Sequence, residues 1–162
     1  MIKTQWIFLS TTIAIVTGSL TLNTEAAKSE VKKYFCGTSN GFPTLFAKTS
    51  DSRNSVLFRF TSEYFSARGL TPEKRCRDSA YQFNTFNLQG LLQVPRLTTE
   101  RRKKASVICI SQEENASSCR AGGVLLFFNP EINPDRILRE IIQRNRDLTM
   151  PVPNDAGDLF AP

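Results

Sequence analysis

Two groups of residues carry the chemistry this chain offers: four cysteines, Cys36, Cys76, Cys109 and Cys119, and one run of four cations, Arg101, Arg102, Lys103 and Lys104. The cysteines can be oxidised into bridges or can ligate a metal as thiolates. No pair has the C-x-x-C spacing of a zinc site, so a metal site is not expected, and the even set points to two disulfides. Three pairings are open and the sequence does not choose between them; Cys36 with Cys76 and Cys109 with Cys119 is the favoured one. The cation run suits docking on an anionic surface, where each basic residue contributes about 1 kcal/mol that falls with salt. Its competing reading is a solvated hairpin tip whose charge keeps a sheet edge from aggregating. Arg136 and Arg139, followed by Arg144 and Arg146, add positive charge to a later helix, and Lys74, Arg75 and Arg77 to an earlier one. The simplest account of both sets is an exposed helix face.

The 162 residues include no histidine, which excludes Ser-His-Asp and Cys-His nucleophilic sites and most catalytic zinc sites. Carboxylates remain as acid and base, and Glu63, Glu73 and Asp78 are the candidates in a well-ordered region, as for glycoside hydrolysis. Each also has an ordinary turn or helix duty. The expectation is a non-enzymatic protein with no cofactor; a carboxylate-dependent carbohydrate-active enzyme of the cell envelope is the alternative. Aromatics interleave with arginine in LFRFTSEYFSAR, but an alternating strand explains that pattern, and no nucleic-acid partner is expected.

These residues must be positioned by the elements around them. Residues 1–26 set Lys3 ahead of an apolar run from Trp6 to Val16 and end in small polar residues, the pattern of a secretory signal peptide cut after Ala26. An exported chain is where thiols become bridges. Lys3 and Glu25 cancel, so the chain from residue 27 keeps the formal charge of +6 that 21 Lys plus Arg and 15 Asp plus Glu give the whole, with a pI near 9.4. The division expected is a signal peptide over 1–26, one disulfide-containing domain over 27–148 and a Pro-rich mobile tail over 149–162.

Within the domain, VKKYFC and TLFAKT form strand-like runs separated by Asn40, Gly41 and Pro43, a hairpin with a longer loop. SVLFRF alternates, with Val56, Phe58 and Phe60 on one face and Leu57 and Arg59 on the other, so a half-buried strand is expected. Thr71 as cap and Pro72 at the first position start a helix whose buried stripe is Cys76, Ala80 and Phe83, with Arg75, Asp78 and Gln82 pointing away. ASVICI and VLLFF are apolar on successive positions, as for central strands, with a polar loop ending in Gly122 and Gly123 between them. Asn133 caps a second helix, with Ile132 stapled to Ile137, a stripe of Ile137, Leu138, Ile141 and Ile142, and Arg136 spaced for Glu140. With a short extra strand near Leu97 to Thr99, the order predicts an α+β domain: an antiparallel sheet of about five to six strands with two helices packed on it.

Y-F-C at Tyr34 to Cys36, P-T at Pro43 and Thr44, F-R-F-T-S-E-Y-F at Phe58 to Phe65, G-L-T-P-E-K-R-C at Gly69 to Cys76, V-I-C at Val107 to Cys109, Cys119, and L-L-F-F-N-P at Leu125 to Pro130 together resemble the circadian oscillating protein family of cyanobacteria. The resemblance implies an exported domain, named for rhythmic abundance and peripherally associated with membranes, with no established enzymatic activity. In place of the turn that family tends to carry before V-I-C, this chain has ERRKKAS, so the basic loop is its own. The combined expectation is an exported binding domain in the periplasm or thylakoid lumen. Its partner is an anionic membrane surface or acidic envelope component, met through Arg101, Arg102, Lys103, Lys104, Arg136 and Arg139.

Overall fold

The computed structural model describes residues 31–146 and 152–155, so the expected signal peptide and most of the tail lie outside the described residues. The elements run β1 (Val31–Ser39), β2 (Phe42–Thr49), β3 (Asn54–Arg59), α1 (Pro72–Leu88), β4 (Leu97–Arg102), β5 (Ala105–Ser111), β6 (Cys119–Phe128) and α2 (Pro134–Arg146). The α+β class and the two helices are as expected. The single sheet is not: the strands form two three-stranded antiparallel sheets, β1-β2-β3 and β4-β5-β6.

The sheets stay separate because side chains and the tail occupy the edges that would have joined them. Along β1, the Asn84 amide accepts from the Tyr34 N–H at 2.8 Å and donates to the Tyr34 carbonyl at 2.7 Å, while Asn87 donates to Val31 O. Along β3, the Arg59 N–H donates to Pro153 O at 3.0 Å and Arg144 Nε to Val56 O at 2.9 Å. Polar groups that would otherwise recruit another strand are thereby satisfied within the fold.

Local chemistry explains other departures. Ser39 pairs directly with Phe42, so the first hairpin closes through the two residues Asn40 and Gly41, both at positive φ, rather than through a longer loop. Asn-Gly is the dipeptide that adopts such a turn most readily. In β3, Phe58 faces Leu45 and Val56 faces Phe46, leaving Leu57 as the extra residue of a bulge. The bulge breaks the alternation, and Leu57 is buried beside Phe58 instead of facing out. β5 is central and buried from Ser106 to Ser111, as its apolar run predicted. β6 is an edge strand, and it already contains Gly122 and Gly123, which were expected in a loop. A Cβ at Gly123 would lie 2.9 Å from Ile110 O, so only glycine lets β6 approach β5 there.

Both helix starts are built as their sequences specify. Thr71 Oγ1 accepts from Lys74 N, with Pro72 at the first position, and Asn133 Oδ1 accepts from Asp135 N at 3.1 Å. One apolar cluster joins the sheets and helices: Leu45 and Phe58 from the first sheet, Ile108, Ile110, Leu126 and Phe128 from the second, Cys76, Ala80 and Phe83 from α1, and Ile137 from α2. Ring contacts at 5.5 Å between Phe58 and Phe128, and at 5.0 Å between Tyr34 and Phe83, bridge the layers.

Arg75, placed on the outer face of α1 from the sequence, is fully buried. Its neighbours on that side of the helix, Ser79 and Phe86, are buried as well, so the covered stripe is wider than Cys76, Ala80 and Phe83 define. The charge is held by Asp155, whose Oδ2 lies 2.5 Å from Arg75 Nη1. Within the expected tail, residues 152–155 pack against the domain: Pro153 and Asp155 are buried, and Asn154 bridges Arg59 in parallel.

Candidate functional site

The cation run sits where β4 turns into β5. Arg102 pairs with Ala105, so Lys103 and Lys104 are the turn itself and Arg101 and Arg102 the last residues of β4. All four are exposed. Their charges are not equivalent: Arg102 forms a two-pronged contact with Glu100, with Nε 2.7 Å from Oε1 and Nη2 3.3 Å from Oε2. That guanidinium holds the Glu100 carboxyl below its usual range and is itself raised in return. Arg101, Lys103 and Lys104 have no carboxylate partner among the described residues. Two bridges stiffen the domain that carries this tip. Cys109 is bonded to Cys119 across β5 and β6, and Cys36 to Cys76 between β1 and α1, each with a Cα–Cα separation of 5.6 Å. This is the pairing favoured from the sequence, and it leaves no sulfur free to act as a thiolate ligand.

α2 begins beside the base of the tip. Thr99 Oγ1 donates to Asp135 in the first turn of α2, and Ser106 Oγ donates to Pro130 O at 3.2 Å. Arg136 and Arg139 therefore lie on an element adjoining the hairpin, but among acids: Glu131, Asp135 and Glu140 share that segment, and Arg136 lies 3.6 Å from Glu140. Arg139 is exposed, whereas Arg144 is turned inward to the Val56 carbonyl. The Arg146 side chain is outside the described residues. On α1, Arg75 is buried, Lys74 is 3.3 Å from Asp78, and the exposed Arg77 draws on the Glu73 carboxylate one turn before it, helping to hold that group below its usual range. The geometry thus concentrates unpaired positive charge at Arg101, Lys103 and Lys104.

The carboxylates considered for acid and base catalysis are dispersed into local roles. Glu63 accepts from the Ser66 hydroxyl, and Asp78 pairs with Lys74. Glu73 is held below its usual range by its own backbone N–H and by Thr71 at the helix start, the opposite of the upward shift a general acid needs. Among the described residues no three acids, cysteines or histidines cluster as a metal site would require, and no helix is long and apolar enough to cross a membrane.

The residues that sequence reasoning missed are Glu100, which neutralises one cation of the tip, and Asp155, which neutralises Arg75. Glu100 was open to detection, since alternation puts residues two apart on the same side of a strand. Asp155 lies 80 residues from its partner, and nothing local announces it.

No curated protein and no solved structure matches the chain. A family model described as circadian oscillating protein COP23 matches residues 33–158. That match takes in both sheets, both helices and the docked tail, so the chain belongs to the circadian oscillating protein COP23 family.

Proposed function

We propose that this protein works by binding rather than by catalysis, docking electrostatically on an anionic membrane or envelope surface through the tip of the β4–β5 hairpin. The observation that carries this reading is the exposed trio Arg101, Lys103 and Lys104, without carboxylate partners among the described residues, on a hairpin whose second strand is bridged to β6. Arg136 and Arg139, on the adjoining start of α2, supplement the contact. Two disulfides in the domain and the leader pattern over 1–26 support an exported site of action, in the periplasm or thylakoid lumen. The net charge of +6 favours any acidic surface at long range.

Flotation of the chain from residue 27 with anionic and neutral vesicles, at low and high salt, tests this. Binding to the anionic vesicles alone, lost at high salt, is expected; absence of binding, or binding to both kinds alike, would refute it. Hydrolysis of an envelope glycan that is lost in Glu63→Gln would replace the reading with a catalytic one.

A further inference from the structure

A second feature, remote in sequence from the hairpin tip and independent of the proposal above, surrounds the tail residue Asp155. Its Oδ1 accepts from the Thr61 N–H at 2.7 Å, the Ser62 N–H at 2.9 Å and the Thr61 hydroxyl at 3.1 Å, while Oδ2 meets Arg75 Nη1 at 2.5 Å. Phe60, Phe65 and Phe127 wall the guanidinium, with its carbon 5.4, 5.7 and 5.8 Å from their ring centres. Two successive backbone N–H groups, a hydroxyl and a buried arginine aimed at one carboxylate make a built receptor for that group. Arg75 Nε is buried and has no hydrogen-bond partner among the described residues, so the guanidinium has a donor that the tail leaves unused.

The approach to this receptor runs along the edge of β3 that the tail covers. β3 pairs with β2 on one side; on the other the tail joins it by a parallel bridge at Arg59 and Asn154, with the Arg59 N–H bonded to Pro153 O. An extended segment added to a sheet edge, with a side chain seated in an adjacent pocket, is a recurring way in which one protein reads a peptide of another. We infer that the Arg75 receptor and the β3 edge together form a docking site for an aspartate-bearing extended segment of an acidic partner protein, and that residues 152–155 occupy it in cis. The charge of +6 disfavours a second copy of this chain as the occupant and favours an acidic one. The tethered tail competes at a local concentration on the order of millimolar, so a free segment displaces little of it until the tail's grip is weakened.

The test uses the full chain with Asp155→Asn, its fold checked by circular dichroism, and a fluorescent peptide with the sequence PVPNDAG of residues 151–157. Saturable binding is expected, about tenfold or more weaker when the peptide carries asparagine in place of its aspartate. The unsubstituted chain should bind neither peptide at micromolar concentration. A folded variant that does not bind the aspartate peptide overturns the inference.

A second arm does not depend on that variant. A protease site placed between residues 147 and 151 is cut after folding, and the severed tail is challenged with excess labelled peptide. Exchange with the domain still folded supports a docking site. A tail that never exchanges, or a domain that unfolds as it leaves, makes the pair purely structural and overturns the inference. Dimers of the uncut, unsubstituted chain, held by tails exchanged between two copies, would assign the site to a second copy and overturn the partner named here.

Discussion

Burial pushes the Tyr34 hydroxyl up from 10.0 to about 12, because the ionised phenolate would lose its hydration against α1. The unfolded chain releases this proton first as pH rises, so the stability it contributes is complete below pH 10 and is lost between 10 and about 12. Tyr34→Phe should remove that part of the alkaline loss, about 2–3 kcal/mol, in urea titrations repeated across that range. Arg75 and Asp155 depend on each other by geometry, since each would be a buried charge without its partner. Asp155→Ala leaves a buried, uncompensated guanidinium and should cost about 3–5 kcal/mol in the same assay, whereas replacing both residues by apolar ones should restore most of it. A single variant as stable as the wild type would show that the pair is not buried as described. At this scale the sequence was legible where a residue serves its own neighbourhood: Thr71, Pro72 and Asn133 start helices as their types dictate. It misled at Arg75, where charge argued for exposure, because the neutralising carboxylate comes from far along the chain.

The elements show the same division between local and distant information. Helices follow from apolar period, and β5 is central and covered on both faces as its run of Val107 to Ile110 requires, whereas Val124 to Phe128, read as central on the same grounds, lies in the edge strand β6. The separation into two sheets was not legible, since it depends on what fills each edge: Asn84 reads as a polar helix residue until β1 is laid beside it. Asn84→Ala leaves the Tyr34 N–H and carbonyl without those two hydrogen bonds. It should cost about 1–3 kcal/mol and raise aggregation on concentration, readable by denaturation and light scattering. The bridges act on the unfolded chain. Closing loops of 40 and 10 residues, Cys36–Cys76 and Cys109–Cys119 should contribute about 4 and 3 kcal/mol. Paired serine substitutions at each bridge would check the order: a larger loss from the second bridge than from the first would contradict the loop-length account.

Across the whole molecule, a core shared by two sheets and two helices carries a small basic tip on one hairpin, in a chain of net charge +6. The cation run itself was plain in the sequence, and so was its place in a turn. What the sequence did not show is how few of the other cations join it: Arg75 is buried, Lys74 and Arg136 face carboxylates, and Arg144 turns inward. Whole-chain charge therefore overstates the docking surface, and the account places most of the binding in three side chains. The most direct test replaces Arg101, Lys103 and Lys104 by glutamine and compares partitioning onto anionic vesicles with that of the parent chain and of an Arg136→Gln, Arg139→Gln variant. At low salt the tip variant should bind about a hundredfold more weakly, at about 1 kcal/mol per cation, with melting temperature unchanged, and the α2 variant should lose far less. Equal binding by the tip variant and the parent chain would contradict the account.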